Sequence, residues 1–176
     1  MASTIQDFYQ TSLAKQFSRD FLFRVLTINV GGAGLNQDDL VYARSASLPG
    51  RNIDGKVVNY FGQEFQVPGR STYSNAGGYS IEFYHDENCD LRKNLEGISR
   101  TTFDNETSTG EYGMPDSGES IELQVINKGL AGVQNIKLVG VSIRDIGDVN
   151  YTIADGTGEV LNFPCTFAYH WYENFA

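Results

Sequence analysis

Apolar residues recur at every second position near the C-terminus, and this period limits the fold more than any other feature of the chain. Leu161, Phe163, Cys165, Phe167, Tyr169 and Trp171 alternate along Val160 to Tyr172. Successive side chains of a strand point to opposite faces, so the pattern predicts one long closing strand whose packed face includes Trp171. Pro164 has no amide proton to give a ladder, which predicts an edge position or a bulged beginning. The same alternation marks Tyr79 to Tyr84 and the run Ile121, Leu123 and Val125. Ile136 to Ile143 is a further strand, interrupted at Gly140 as a bulge would interrupt it. Asn150 to Ala154 reads as a short strand. Phe21 to Val30 carries Leu22, Leu26, Ile28 and Val30 on one face and Phe21, Phe23 and Val25 on the other. Two apolar faces suit a central strand or one at an interface. After Gly31-Gly32-Ala33-Gly34, Leu40 to Ser47 resumes extended structure up to Pro49-Gly50.

Helical spacing occurs in two places. Ile5, Phe8, Tyr9, Leu13 and Phe17 form one stripe over residues 4–17, since offsets of three and four share a helix face. Two readings fit that stripe equally: a helix covering the edge of the core, or an arm docked on a neighbour. The second helix follows Asp86, a capping residue, with Glu87 and Asp90 in a first turn where the helix dipole favours negative charge. Leu91, Leu95 and Ile98 form its buried stripe, and Gly97 weakens it before Phe103.

Residues 50–78 differ from the rest. Asp54-Gly55, Phe61-Gly62, Pro68-Gly69 and Gly77-Gly78 are turn signals, and Lys56 to Tyr60 with Gln63 to Val67 form a hairpin. Residues 104–118 are polar and contain glycine, as mobile loops do. Setting the hairpin aside, about seven strands and one internal helix remain. The expected fold is mainly β with a packed helix (α+β), a β-sandwich or small barrel. At 176 residues, one domain is expected over residues 1–176, with an N-terminal arm (1–20), an extended hairpin (50–78) and a polar loop (104–118).

Chemistry is thin. His85 and His170 sit beside aromatics with no metal-ligand spacing, so both read as structural. No nucleophile elbow or Walker loop occurs. Asp86, Asn88 and Asp90 open like a calcium loop, but Leu91 stands where glycine is required and Gly97 where glutamate is. Cys89 and Cys165 are read as reduced, buried thiols. No catalytic, cofactor-binding or metal residue is assigned, no cofactor is expected, and the chain is not read as an enzyme. The N-terminus lacks the pattern of a secretory signal, and no run of about 20 apolar residues that would serve as a membrane anchor is present. Thirteen basic residues against 22 acidic ones give a net charge of −9, which disfavours phosphate binding but suits a wall that DNA must not stick to.

Four segments, in order, resemble tail tube proteins of contractile-tailed bacteriophages. These are Leu22-Phe23-Arg24-Val25; Ala43 to Gly50 with the glycine-punctuated excursion from Tyr60 to Gly69; Tyr79 to Tyr84 with Asp90 to Leu95; and Cys165 to Glu173. The resemblance covers most of residues 20–173. Many members carry a tryptophan in the helix near Leu95 to Ile98, and this chain has none there.

The resemblance implies a major tail tube subunit of a virion, assembled in the host cytoplasm. Homohexameric rings would stack into a hollow tube inside a contractile sheath, for genome ejection. Implied partners are copies of the chain, the tail sheath protein, baseplate and tail-terminator proteins, and the tape measure protein and DNA in the lumen without specific binding. Residues 50–78 would stack ring on ring, with the N-terminal arm as a second contact. Asp145, Asp148, Asp155 and Glu159 would face the lumen or solvent. The alternatives are a tube-like baseplate or tail-completion protein, the tube of a phage-derived injection machine, and a carbohydrate-binding module using Tyr60 and Phe61.

Overall fold

Where the sequence reads as one continuous strand, the chain twice changes sheet. In a computed structural model, the described residues are 4–13, 15, 18–35, 37–110, 113–153 and 156–175. In chain order the elements are α1 (Ile5–Leu13), β1 (Phe23–Val30), β2 (Ala33–Gly34), α2 (Gln37–Leu40), β3 (Ala43–Ser45), β4 (Arg51–Tyr60) and β5 (Gln63–Tyr73). Then come β6 (Tyr79–Tyr84), α3 (Asp90–Thr102), β7 (Ser120–Ile126), β8 (Gly132–Val139), β9 (Ser142–Ile146), β10 (Asn162–Ala168) and β11 (Trp171–Phe175). One sheet runs β11-β8-β7-β1-β2 and a second runs β3-β6-β10-β9, while β4 and β5 pair only with each other. The mainly β, helix-packed class expected from the sequence is the class observed.

The strand count exceeds seven because two expected strands each divide. The segment 136–143 breaks at Gly140, which is no bulge but a crossing: β8 lies in the first sheet and β9 in the second. Gly140 has φ +68° and packs so closely on the His170 ring that a Cβ would overlap it. The segment 160–172 breaks at Tyr169-His170 into β10 and β11, again one in each sheet. The two crossings run side by side, joined where His170 N–H donates to Val139 O at 2.9 Å. Strands that turn such corners bring two sheets onto one core. Pro164 therefore lies inside the second sheet. It is tolerated because register pairing with β9 begins only at Cys165↔Ile146, leaving only Gly147 N–H to reach Pro164 O.

The core lies between the sheets. Tyr79, Ile81, Phe83, Phe163, Cys165 and Phe167 come from one sheet, and Val25, Ile28, Val30, Ile121, Leu123, Ile136 and Leu138 from the other. β1 begins at Phe23 rather than Phe21, and a bulge between Val25 and Thr27 resets its alternation. Val25 consequently joins Ile28 and Val30 inside, opposite to the face expected for it. Leu40 to Ser47 is not continuous extended chain; α2 and the short β3 replace it. Residues 150–153 form no strand, and Ala154 lies outside the described residues. Trp171 is 39 % exposed, not packed, because it falls on the outer face of the edge strand β11.

α3 closes the end of the core where β1 stops at Gly31 and β9 gives way to Gly147. Leu91 and Leu95 are fully buried, and Ile98 lies against Gly31. Asp86 does cap the helix, accepting the Asp90 N–H at 2.7 Å. The cap position itself is Cys89 in the left-handed region (φ 59°), so Glu87 precedes the helix. Arg92 donates to Gly147 O and lies over the Phe163 ring at 5.6 Å. Of the polar loop, residues 104–110 are tied up: Asp104 accepts from Glu106 N–H and Thr107 Oγ1 and bridges to Thr109. Glu111 and Tyr112 lie outside the described residues.

Phe167→Ala should destabilise the protein by about 3–5 kcal/mol, as large-to-small changes in packed cores do. Trp171→Ala should cost no more than about 1 kcal/mol, as at partly exposed sites. Urea unfolding of both variants checks the ordering.

Candidate assembly surfaces

No group of three or more His, Cys, Asp or Glu that could hold a metal ion occurs among the described residues. His170 stacks on Trp171. His85 sits edge-on to Tyr151 and Phe163, with Nε2 3.3 Å from the half-buried Cys89 Sγ. Both imidazoles make ring contacts, and the buried Nδ1 of His85 has no hydrogen-bond partner among the described residues. Both cysteines are free. Burial, reinforced by the charge of Asp145, pushes the Cys165 thiol up to about 12, which keeps it protonated and unreactive.

What the single chain leaves unsatisfied is surface. β4 and β5 form a ribbon of 10 and 11 residues, longer than the expected hairpin at the root end of both strands. At about 3.3 Å per residue it projects roughly 30 Å. Its two-residue turn is Phe61-Gly62, both with positive φ, the hairpin geometry that suits strand twist. Asp54-Gly55 and Pro68-Gly69 are not turns. They lie within the ribbon at a bulge between Ile53 and Gly55, where Arg70 meets Asp54 at 2.7 Å.

Register gives this ribbon two unlike faces. Val58↔Phe65, Lys56↔Val67 and Tyr60↔Gln63 share one face, and Val57↔Gln66 and Asn59↔Glu64 the other. Side chains of directly opposed residues lie on the same side, so Val58, Tyr60, Phe65 and Val67 make an apolar stripe on one face, while the other face carries Val57 among Asn59, Glu64 and Gln66. All four stripe residues are exposed. A two-stranded ribbon is marginal in water without a partner for such a face.

The ribbon is fixed at its root. Tyr79 Oη donates to Ser47 O, four residues before the ribbon begins, and Tyr169 Oη to Ser74 O, the residue after it ends, both at 2.6 Å. Tyr73, Tyr79, Tyr169 and Tyr172 meet edge to face around these bonds. This clamp was not anticipated from sequence. Its signal is tyrosine at alternating core positions, since a buried phenol needs a partner. Tyr60 and Phe61, offered as sugar-binding aromatics, lie at the tip with their rings 84° apart and present no flat platform.

Strand edges are the second unsatisfied surface. β1 carries β2 only at Asn29 and Val30, and β3 pairs only with β6, so the sheets part between β1 and β3. The slot there encloses about 860 Å³. α1 is the third. Ile5, Tyr9 and Leu13 of the expected stripe are all exposed, so among its described residues that stripe does not cover the core edge. Phe17 lies outside the described residues. The outer face of the first sheet, by contrast, is satisfied across strands: Arg24 Nε donates to Gln124, and Gln124 to Asn135, each at 2.6 Å. Asp145, Asp148 and Glu159 are exposed, and Asp155 lies outside the described residues.

The same fold occurs in solved chains of contractile injection systems. The chain has the fold of three solved examples. A chain of the anti-feeding prophage tube-terminating cap is 10 % identical, with a TM-score of 0.62 over 92 % of this chain and 93 % of that one. A chain of the sheath/tube terminator of the PVC extracellular contractile injection system is 11 % identical, with a TM-score of 0.61 over 93 % and 99 %. A chain of the six-fold symmetrised anti-feeding prophage baseplate is 13 % identical, with a TM-score of 0.58 over 92 % and 96 %. No family model matches the chain, and no curated protein matches it in sequence.

Removing one phenol of the clamp, Tyr79→Phe or Tyr169→Phe, should cost about 1 kcal/mol and speed amide exchange at Ser74, whose N–H bonds Gly50 O. Burial raises the pKa of Tyr79, Tyr169 and Cys165. Their stabilisation is complete below the ordinary thiol value of 9.0 and phenol value of 10.0 and is lost as pH climbs through the raised ones. Melting temperature should hold level to about pH 9 and then fall, less steeply in Tyr79→Phe. Calorimetry across that range measures both slopes.

Proposed function

We propose that this chain is a structural subunit of a hollow tube of the contractile-injection type, with six copies closing a ring and rings stacking into a conduit. The observation that carries this reading is the β4–β5 ribbon, an arm with an apolar stripe and a fixed root. The fold likeness to cap, terminator and baseplate chains supports it. The conduit would lie within a contractile sheath, abut baseplate and terminator proteins, and pass DNA and a tape measure protein without specific binding, in a tail assembled in the host cytoplasm. Its role is geometric rather than enzymatic. The net charge of −9, with Asp145, Asp148 and Glu159 among the exposed acids, would repel phosphates.

Magnitudes favour rings stacking on rings over pairwise docking of single subunits. Full burial of an aliphatic or aromatic side chain contributes about 1.5–3 kcal/mol. Four side chains that start about half exposed therefore offer roughly 3–6 kcal/mol per ribbon. Association costs about 4–15 kcal/mol in lost freedom. One ribbon barely meets that cost, whereas six ribbons engaging together share it.

A second reading is a tube-end component, favoured by the likeness to the prophage cap and the PVC terminator. The readings differ in growth: a tube subunit adds ring upon ring, while an end component stops at one. Negative-stain microscopy of the purified chain should give tubes of variable length under the first reading and single rings under the second. Monomers at every concentration would overturn both. Val58→Asp combined with Phe65→Asp should leave the circular dichroism spectrum and melting temperature near those of the parent while abolishing stacking. Undiminished tubes in that variant would remove the ribbon from the interface.

A further inference from the structure

We propose that α1 of one copy lies in the slot between β1 and β3 of the next copy, an inference that rests on the assembling role proposed above. The slot is walled by two sheet edges and floored by apolar side chains. Phe21, Phe23, Val25, Val41 and Ala43 line it, together with the charged Asp20, Arg24 and Arg44. Val41 is 81 % exposed, an unusual state for valine beside an apolar cleft. In the same chain, α1 carries Ile5, Tyr9 and Leu13 at i, i+4 and i+8, a single stripe on the helix, with Ile5 90 % exposed. Among the described residues, two apolar surfaces of one chain stand open: Ile5, Tyr9 and Leu13 on α1, and the slot.

They match in size, polarity and reach. The nine residues of α1 span about 13–14 Å at 1.5 Å per residue. The slot wall from Phe21 to Leu26 spans about 16–20 Å of extended chain. Asp20, Arg24 and Arg44 all line the slot, with Arg44 paired to Glu82 and Arg24 bonded to Gln124, so the match rests on apolar contact rather than on charge. Gln6 and Gln10 flank the stripe and can hydrogen-bond strand-edge groups that β2 and β6 leave open. Residues 14–20 connect α1 to the slot's own mouth, and seven residues extend at most about 25 Å. Helix and connector together reach about 35–40 Å. A domain of this length has a radius of gyration of about 16 Å, so the arm reaches across roughly one protomer. Passing an arm to the next copy is a head-to-tail contact, the kind that closes a ring.

The test uses the full chain in singly substituted forms, Tyr9→Cys and Val41→Cys, mixed under assembly conditions and oxidised. A disulfide between the two requires two chains, so the mixture should give a covalent mixed dimer about tenfold above either protein alone. Tyr9→Cys mixed with Val133→Cys, an exposed valine on β8, should stay at background. In the double variant Tyr9→Cys/Val41→Cys, oxidation should yield ladders of covalent multimers. Rings without the mixed dimer would overturn the arm exchange while leaving the tube reading intact. An intrachain disulfide in the double variant, seen as a monomer of shifted mobility, would overturn it too, because the arm then closes its own slot. Neither rings nor mixed dimer would remove both readings.

Discussion

The fold depends on one short stretch of backbone hydrogen bonding, at the corner where two strands change sheet together. Glu119 O accepts from both Gly140 N–H and Val141 N–H, at 2.9 and 3.1 Å, and His170 N–H reaches Val139 O. These bonds supply partners for backbone groups that would otherwise be orphaned as the chain leaves one ladder for another. They allow Val141 and Tyr169 to stay buried between the sheets. Without the corner the two sheets would be separate and each would have an uncovered apolar face. Gly140 is required there on two grounds, the positive φ and the His170 ring against its α-carbon.

Joining the sheets at one side leaves them apart at the other. The second side is where β1 has only two residues of β2 beside it and β3 has no outer neighbour. A barrel removes its edges by closing on itself, and this chain stops short of that. The exposed surfaces follow from the same incompleteness: an open slot, an amphipathic ribbon and a helix whose described stripe residues, Ile5, Tyr9 and Leu13, are exposed. A catalytic protein ordinarily converges polar groups in a cleft. Here many of the described polar side chains serve helix caps, cross-strand ladders and the tyrosine clamp, and His85, Cys89, Arg92 and Asp148 meet at a shallow cavity beside α3.

The sequence made the strand class legible because alternation survives wherever one face is buried. Tyr79, Ile81 and Phe83 fall inside as their spacing requires, and so do Ile121 and Leu123. Corners were not legible, because alternation continues through them: Phe167, Tyr169 and Trp171 keep the period while the chain changes sheet. Val25 was misplaced for a related reason, since a single extra residue at Leu26 inverts every face before it. Pro68-Gly69 looked like a turn because local composition says nothing of what lies opposite. In the folded chain Gly69 approaches Asp54 O so closely that a Cβ would sit 2.7 Å away. The apolar stripe on the ribbon was hidden by a different cause, since Val58 and Val67 gain a common face only once cross-strand register is known.

The tyrosine clamp gives the ribbon a mechanical character. Its root is held on both sides, through Ser47 by Tyr79 and through Ser74 by Tyr169, and those phenols are embedded in the aromatic cluster of the core. An arm of roughly 30 Å on a flexible root would swing and dissipate any load placed on its tip. Held in this way it acts as a lever with its fulcrum inside the hydrophobic core. Torque applied near Phe61 is passed to Tyr79 and Tyr169, and through them to both sheets at once.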